Sequence, residues 1–296
     1  MKTAPFGYVR AGSVAEALGA LGDDEDARVL AGGQSLVPVM ALRLSTPSVL
    51  VDITRCAELR CHEVSTDDGG ERVLTVGAAV PGRVLERDPQ VRAAHPLLVQ
   101  ALELVAHPEI RARGTVCGSL AHADPAAEMP ALLLATDGEV LVHGPAGPRA
   151  VPAGDFATGP FSTALAPGEL VVGARFPVPG PRAGWSVQEV SRRRGDFALV
   201  GVVCLLDAGA DGRCARARVT LFGVAGTAVR ATGAEQLLTG STLDDAALDA
   251  AAAVAFDGVQ VIGDDVHASA GYRTTVGRRL VRRALAAARP AAGGTP

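Results

Sequence analysis

The sequence predicts an α+β protein in two parts. Three observations carry this. Short apolar runs alternate with helix-like stretches through the first 177 residues, a Pro- and Gly-rich stretch, PVPGPRAG, interrupts the chain at 177–184, and two strand-like runs followed by two helices come after it. An α/β order followed by β-β-α-α puts the boundary near residue 180. No internal repeat of 20–50 residues overrides this reading.

Each element follows from local chemistry. Ser13 can cap a helix over 13–21, with Glu16 three residues on and Gly22 after its end. Residues 27–31 form a short apolar strand that runs into Gly32-Gly33-Gln34-Ser35-Leu36. Val37 to Leu44 reads as a helix stopped near Pro47, and 49–53 and 73–80 read as strands. GAAVPGRVLERDP supplies a turn and a helix start. Residues 97–106 form a strongly apolar helix that ends before His107-Pro108. From Arg113 to Pro130 the pattern dissolves into small residues, and helix resumes over 131–136. Residues 139–143 and 169–177 are strand-like. Beyond the linker, strands are predicted over 198–207 and 215–224, and helices over 243–256 and 268–288.

Composition excludes several chemistries. Lys2 is the only lysine, asparagine is absent, and 27 of the 28 cationic Lys and Arg residues are therefore arginine. No internal lysine is present for a Schiff base, a Walker-type phosphate grip or a Ser-Lys dyad. The net charge of −4 and the lack of a long basic run argue against nucleic acid. The opening MKTAPFGYVRAGS holds no apolar stretch of signal-peptide length, and no run approaches about 20 apolar residues. A cytoplasmic protein with no membrane span is expected. Five dispersed cysteines, Cys56, Cys61, Cys117, Cys204 and Cys214, suit neither a disulfide scaffold nor an iron–sulfur cluster, so no metal site is expected.

Two segments can carry chemistry. The first is Ala31-Gly32-Gly33-Gln34-Ser35-Leu36, a glycine pair between a strand and a helix. It is read either as a tight turn or as a phosphate site, where free N–H groups and the Ser35 hydroxyl face an anion. It is not a G-x-G-x-x-G fingerprint. The second is Arg113-Gly114-Thr115-Val116-Cys117-Gly118-Ser119-Leu120-Ala121-His122-Ala123-Asp124-Pro125. Its small side chains and hydroxyls suit a loop around a polar ligand, with Asp124 accepting from ribose hydroxyls or an adenine amine. Equally, it suits a buried connector in which Asp124 caps a helix starting near Pro125. His107, His122 and His143 lack partners at a diagnostic spacing, and neither H-E-x-x-H nor G-x-S-x-G occurs. No catalytic residue is predicted.

Taken together, AGGQSL at 31–36, VDI at 51–53, IRARGTVCGSLAHADPAAEMPALLLA at 110–135, RRRGDFALV at 192–200 and GYRTTVGRRLVRRAL at 271–285 resemble the FAD-binding medium subunit of molybdenum hydroxylases, the carbon monoxide dehydrogenase/xanthine dehydrogenase family. The segments stand in the family's order and cover nearly the whole chain. The resemblance implies a two-lobed vanillyl-alcohol-oxidase-type FAD-binding domain over 1–178, with lobes of about 1–55 and 56–178, then a smaller C-terminal α+β domain over 183–290. It implies that Gly32, Gly33, Gln34, Ser35 and Leu36, with Thr115, Cys117, Gly118 and Ser119, contact the FAD pyrophosphate. It also implies that Asp124 meets the adenosine half, that Ile110 lies near the isoalloxazine, and that Ala31, Gly114, Val171 and Gln188 belong to the cofactor site.

The resemblance further implies partners: a molybdopterin-binding large subunit and a [2Fe–2S] small subunit, with electrons passing through FAD to NAD or another acceptor. A stand-alone flavin oxidoreductase acting on a small molecule is the alternative, with His107, Tyr272 or Asp196 as proton acceptor. Three positions depart from the family. Cys117 stands at the first glycine of Thr-x-Gly-Gly, Ala112 stands where many members have Asn, and Gln188 stands where relatives often carry a lysine. A cysteine at a site that needs φ > 0 would be strained.

Overall fold

The computed structural model describes residues 2–67 and 69–290, and the chain forms two compact units. The first comprises the residues up to Ala93, with His107–Ala123 and Gly138–Pro177. The second comprises Ala94–Ala106, Asp124–Asp137 and the residues from Val178 onward. Ala106, Ala123 and Asp137 are each the last residue of such a segment, and each holds a left-handed backbone, with φ of 43°, 50° and 52°. That conformation costs a non-glycine residue about 1–2 kcal/mol, so the surrounding packing must hold all three turns.

In the first unit, three short parallel strands lie in the order Gly7–Arg10, Val49–Asp52, Arg28–Leu30. The helix Val14–Gly22 returns the chain, capped as its sequence requires by the Ser13 hydroxyl, which accepts from the Glu16 N–H. A second, five-stranded antiparallel sheet runs His62–Thr66, Arg72–Gly77, Leu170–Pro177, Glu139–Gly144, Gly147–Pro152. Its period-2 pattern buries Leu74, Val76, Val140, Val142, Ala174 and Phe176. The helices Val14–Gly22 and Val116–His122 pack on Leu170–Pro177.

The second unit is built on the antiparallel sheet Ala183–Val190, Val200–Ala208, Cys214–Phe222, Val229–Arg230. Val200, Val202, Cys204 and Leu206 join one core with the helices Thr232–Leu238, Asp245–Val254 and Ala270–Ala287. The alternate residues Val203 and Leu205 are buried too, and the helix Glu128–Ala135 packs on both central strands while Pro96–Leu104 packs on Ala183–Val190. A sheet covered on both faces needs apolar residues at every position, which is why Val200–Leu206 reads VGVVCLL without alternation.

Some expectations need correction. The strands Gly7–Arg10, His62–Thr66, Gly147–Pro152 and Ala183–Val190 and the helix Thr232–Leu238 were not expected, so the C-terminal order is richer than β-β-α-α. Gly7–Arg10 is exposed at every position, and Ala183–Val190 buries only Ser186 and Val187, so neither shows an apolar run. The small-residue run after Arg113 is not all loop. It contains the helix Val116–His122, whose buried residues Val116, Cys117 and Leu120 face the core.

Candidate functional site

Gly32 is the point at which the two chemistry-bearing segments meet. A Cβ there would be driven into the Arg113 carbonyl oxygen and would lie 2.7 Å from the Gly114 Cα, so only glycine lets the backbones approach this closely. Gly33 follows in the left-handed region at φ 72° and turns the chain into the helix Leu36–Ala41. The Gln34 amide nitrogen donates to the Gly32 carbonyl at 2.9 Å, which fixes the turn from within. The backbone N–H groups of Gly32, Gly33, Gln34, Ser35 and Leu36 make no hydrogen bond among the described residues. These five residues are half-buried, and the Ser35 side chain makes no capping bond to the helix. Consecutive unpartnered amides on a half-buried turn form a concavity of positive potential, which suits an anion with several acceptor oxygens.

The second segment is held rigidly against it. Ile110 accepts from the Gly114 N–H at 2.7 Å, and Gly114 accepts from the Gly82 N–H at 2.8 Å. Thr115 bridges to Pro81, and its hydroxyl accepts from the Gly118 N–H at 2.9 Å as the N-cap of Val116–His122. Behind the segment, the Arg111 Nε donates to Glu86 at 2.9 Å, and this guanidinium holds the Glu86 carboxyl below the usual carboxylate range. Neither the 81–82 contact nor the Arg111–Glu86 pair was foreseen. The only signal for them in the sequence is a Pro-Gly step after a strand, which is common in turns.

The family model for the FAD binding domain in molybdopterin dehydrogenase matches residues 4–179. The chain belongs to this family. The model for the CO dehydrogenase flavoprotein C-terminal domain matches residues 185–288. The chain is 40% identical to the 6-hydroxypseudooxynicotine dehydrogenase complex subunit alpha of Paenarthrobacter nicotinovorans, over 97% of this chain and 96% of that one. Among solved structures, quinoline 2-oxidoreductase from Pseudomonas putida 86 superimposes with a TM-score of 0.90 at 38% identity, covering 98% of both chains. Carbon monoxide dehydrogenase from Hydrogenophaga pseudoflava does so with a TM-score of 0.92 at 37% identity, covering 98% of this chain and 100% of the other.

The cofactor of the matched family is FAD, and the residues present fit it. The five unpartnered amides offer donors to a pyrophosphate, and the glycine at 32 lets the 113–114 backbone close against their turn. Of the residues named from the sequence, Ala31 to Leu36 and Ile110 to Ser119 are drawn together in the first unit. Val171 is 6% exposed at a bulge of the five-stranded sheet, where the register with Glu139–Gly144 shifts. Asp124 and Gln188 belong to the second unit. One Asp124 carboxylate oxygen accepts from the Ala126 N–H at 2.9 Å, in a turn that leads to the helix Glu128–Ala135.

The three departures from the family now have a structural account. Cys117 lies within the helix Val116–His122 and is absent from the positive-φ residues, so a side chain costs no strain there. Its thiol points into the core, donates to the Val76 carbonyl at 3.6 Å, and is pushed up to about 12 by burial. Only its backbone is therefore available to a ligand. Ala112 is the exposed C-cap of the short helix Pro108–Arg111. Gln188 is not isolated from positive charge, because its side-chain oxygen accepts from the Arg283 Nε while its amide donates to the Ser186 hydroxyl at 3.2 Å.

Of the proton acceptors weighed for a stand-alone enzyme, His107 and Tyr272 are exposed. Among the described residues, no three His, Cys, Asp or Glu side chains gather as metal ligands, and no helix is long and apolar enough to cross a membrane.

Proposed function

We propose that this chain is the flavin subunit of a cytoplasmic molybdenum hydroxylase, receiving electrons from a [2Fe–2S] partner chain and delivering them to NAD or another acceptor. The observation that carries the reading is the row of unpartnered amides at 32–36, pinned against 113–114. Bound FAD supplies exchange between single electrons and electron pairs. The chain's own residues do the rest. The amides of Gly32 to Leu36 bind the pyrophosphate, and Thr115 and Gly118 order the facing turn. Arg111 and Glu86 hold that turn at its fixed distance. The relative named as a subunit of a dehydrogenase complex supports a place in a multi-subunit assembly. The description of the matched family, an FAD binding domain in molybdopterin dehydrogenase, supports a molybdopterin-binding large subunit as partner.

The full chain, purified alone, is expected to take up FAD and turn yellow, yet to remain oxidised when small organic substrates are added. Reduction is expected only when the iron–sulfur chain is supplied together with its molybdenum partner. Rapid reduction of the lone chain by such a substrate would establish the stand-alone alternative instead.

A further inference from the structure

A second feature of the first unit points to how the dinucleotide is oriented. The helix Val116–His122 starts at the turn that faces the 32–36 amides and ends at Ala123, and seven residues carry it about 10 Å. At its far end the small hairpin Ala157–Gly159/Ser162–Thr163 folds over, and the Phe161 N–H donates to the Ala123 carbonyl at 2.9 Å. Both residues of that bond hold left-handed backbones, Phe161 at φ 54° and Ala123 at φ 50°. The Phe161 ring packs against the His122 imidazole at 5.2 Å between centroids, with planes tilted by 51°, and it remains 61% exposed. Phe6, Tyr8, Phe197 and Tyr272 are exposed as well, but of these exposed aromatics only Phe161 is held outward on a left-handed turn.

We propose that Phe161, seated on His122, is the platform on which the adenine ring of the dinucleotide stacks. This rests on the reading of the 32–36 turn as the pyrophosphate site. The span of the helix matches the reach of an adenosine from its phosphates. A purine needs only an aromatic face, which this side chain offers. The pyrimidine edge of a flavin needs hydrogen-bond donors, and the Phe161 N–H is already committed to Ala123.

The test is titration of the full apo-chain with FAD, ADP and FMN. Phe161→Ala should weaken FAD and ADP by about tenfold or more, in keeping with the loss of a base–aromatic stack, and leave FMN unchanged. Phe161→Trp, which keeps a face for stacking, should restore both. The side chain is exposed, so folding is not at stake, and circular dichroism of each variant should match wild type. Unchanged FAD affinity in Phe161→Ala overturns the proposal, as does an equal loss for FMN, which would assign the ring to the flavin half. A wild-type chain that binds none of the three overturns the pyrophosphate reading as well.

Discussion

The two units treat their polar groups in opposite ways. In the first, the donors that matter are backbone amides without partners, on a turn held by the Gln34 side chain. In the second, polar side chains close a network around Asp137. Its carboxylate accepts from Arg216 at 2.8 Å, from Arg218 at 3.4 Å and from Arg230 at 2.9 Å. Arg218 also pairs with Asp207, and Arg230 pairs with Glu235. Unsatisfied donors cost stability unless a ligand meets them, whereas the paired charges around Asp137 stabilise one packing of the chain even though the buried Arg218 Nε makes no hydrogen bond among the described residues. Binding and architecture can thus be separated by mutation.

The largest effect is expected at Gly32. Gly32→Ala forces the two segments apart, and a loss of about 100-fold in FAD affinity, or roughly 3 kcal/mol, is expected. Fluorescence titration measures it, while the melting of the second unit should not move. The reverse experiment is Arg218→Ala. Loss of a guanidinium only 8% exposed should lower stability by about 2 kcal/mol, less than the 3–5 kcal/mol of a fully buried pair, because Asp207 and Asp137 are 28% and 38% exposed and stay solvated. Denaturant unfolding reads this, and unchanged FAD affinity in the folded variant would keep the two roles apart.

A smaller effect should appear with pH. Burial, then the neighbouring Glu189 charge, pushes the Glu128 carboxyl up to about 8, and burial pushes Glu189 up to about 7. The folded chain therefore keeps a proton on Glu128 that the unfolded chain releases above the usual carboxylate range. Stability contributed by this group is full at acid pH and is lost as pH rises towards 8. Glu128→Gln, neutral throughout, should flatten the fall of Tm between pH 5 and pH 8; an unchanged slope would mean that Glu128 is ionised in the folded protein.

The smallest effect is expected at Gln188. If this position lies beside the flavin, Gln188→Lys should raise the reduction potential, since a cation favours added electrons. Arg283 already supplies charge nearby, so the rise should be modest. An unchanged potential in a spectroelectrochemical titration would remove Gln188 from the cofactor's surroundings.

The contrast between the units also explains what could be read from sequence. The strand Val200–Ala208 was legible because burial on both faces leaves a continuous apolar signature, and Cys214–Phe222 because its second half, Val219 to Phe222, is buried throughout. The glycine pair at 32–33 was legible because few other residues could make that turn. The meeting of Gly32 with Arg113 was not, since the two lie far apart in the chain and a carbonyl leaves no mark on side-chain pattern. The helix Val116–His122 was hidden because Gly118 and Ser119 break its apolar period, and its stability comes from the Thr115 cap and from packing. Ala183–Val190 was hidden because its polar residues, including Gln188 and Glu189, sit half-buried.

The three left-handed residues at 106, 123 and 137 bear on how this protein can be engineered. They mark places where the chain leaves one unit for the other, so neither unit is a contiguous stretch of gene. Cutting at the Pro-Gly linker would strip the helices Pro96–Leu104 and Glu128–Ala135 of the sheet they cover. Leu97, Leu98, Leu132 and Leu133, all 2% exposed or less, would then meet water. A fragment ending at 178 should aggregate rather than fold. The flavin-binding half can be swapped between relatives only together with the sheet that its own two helices complete.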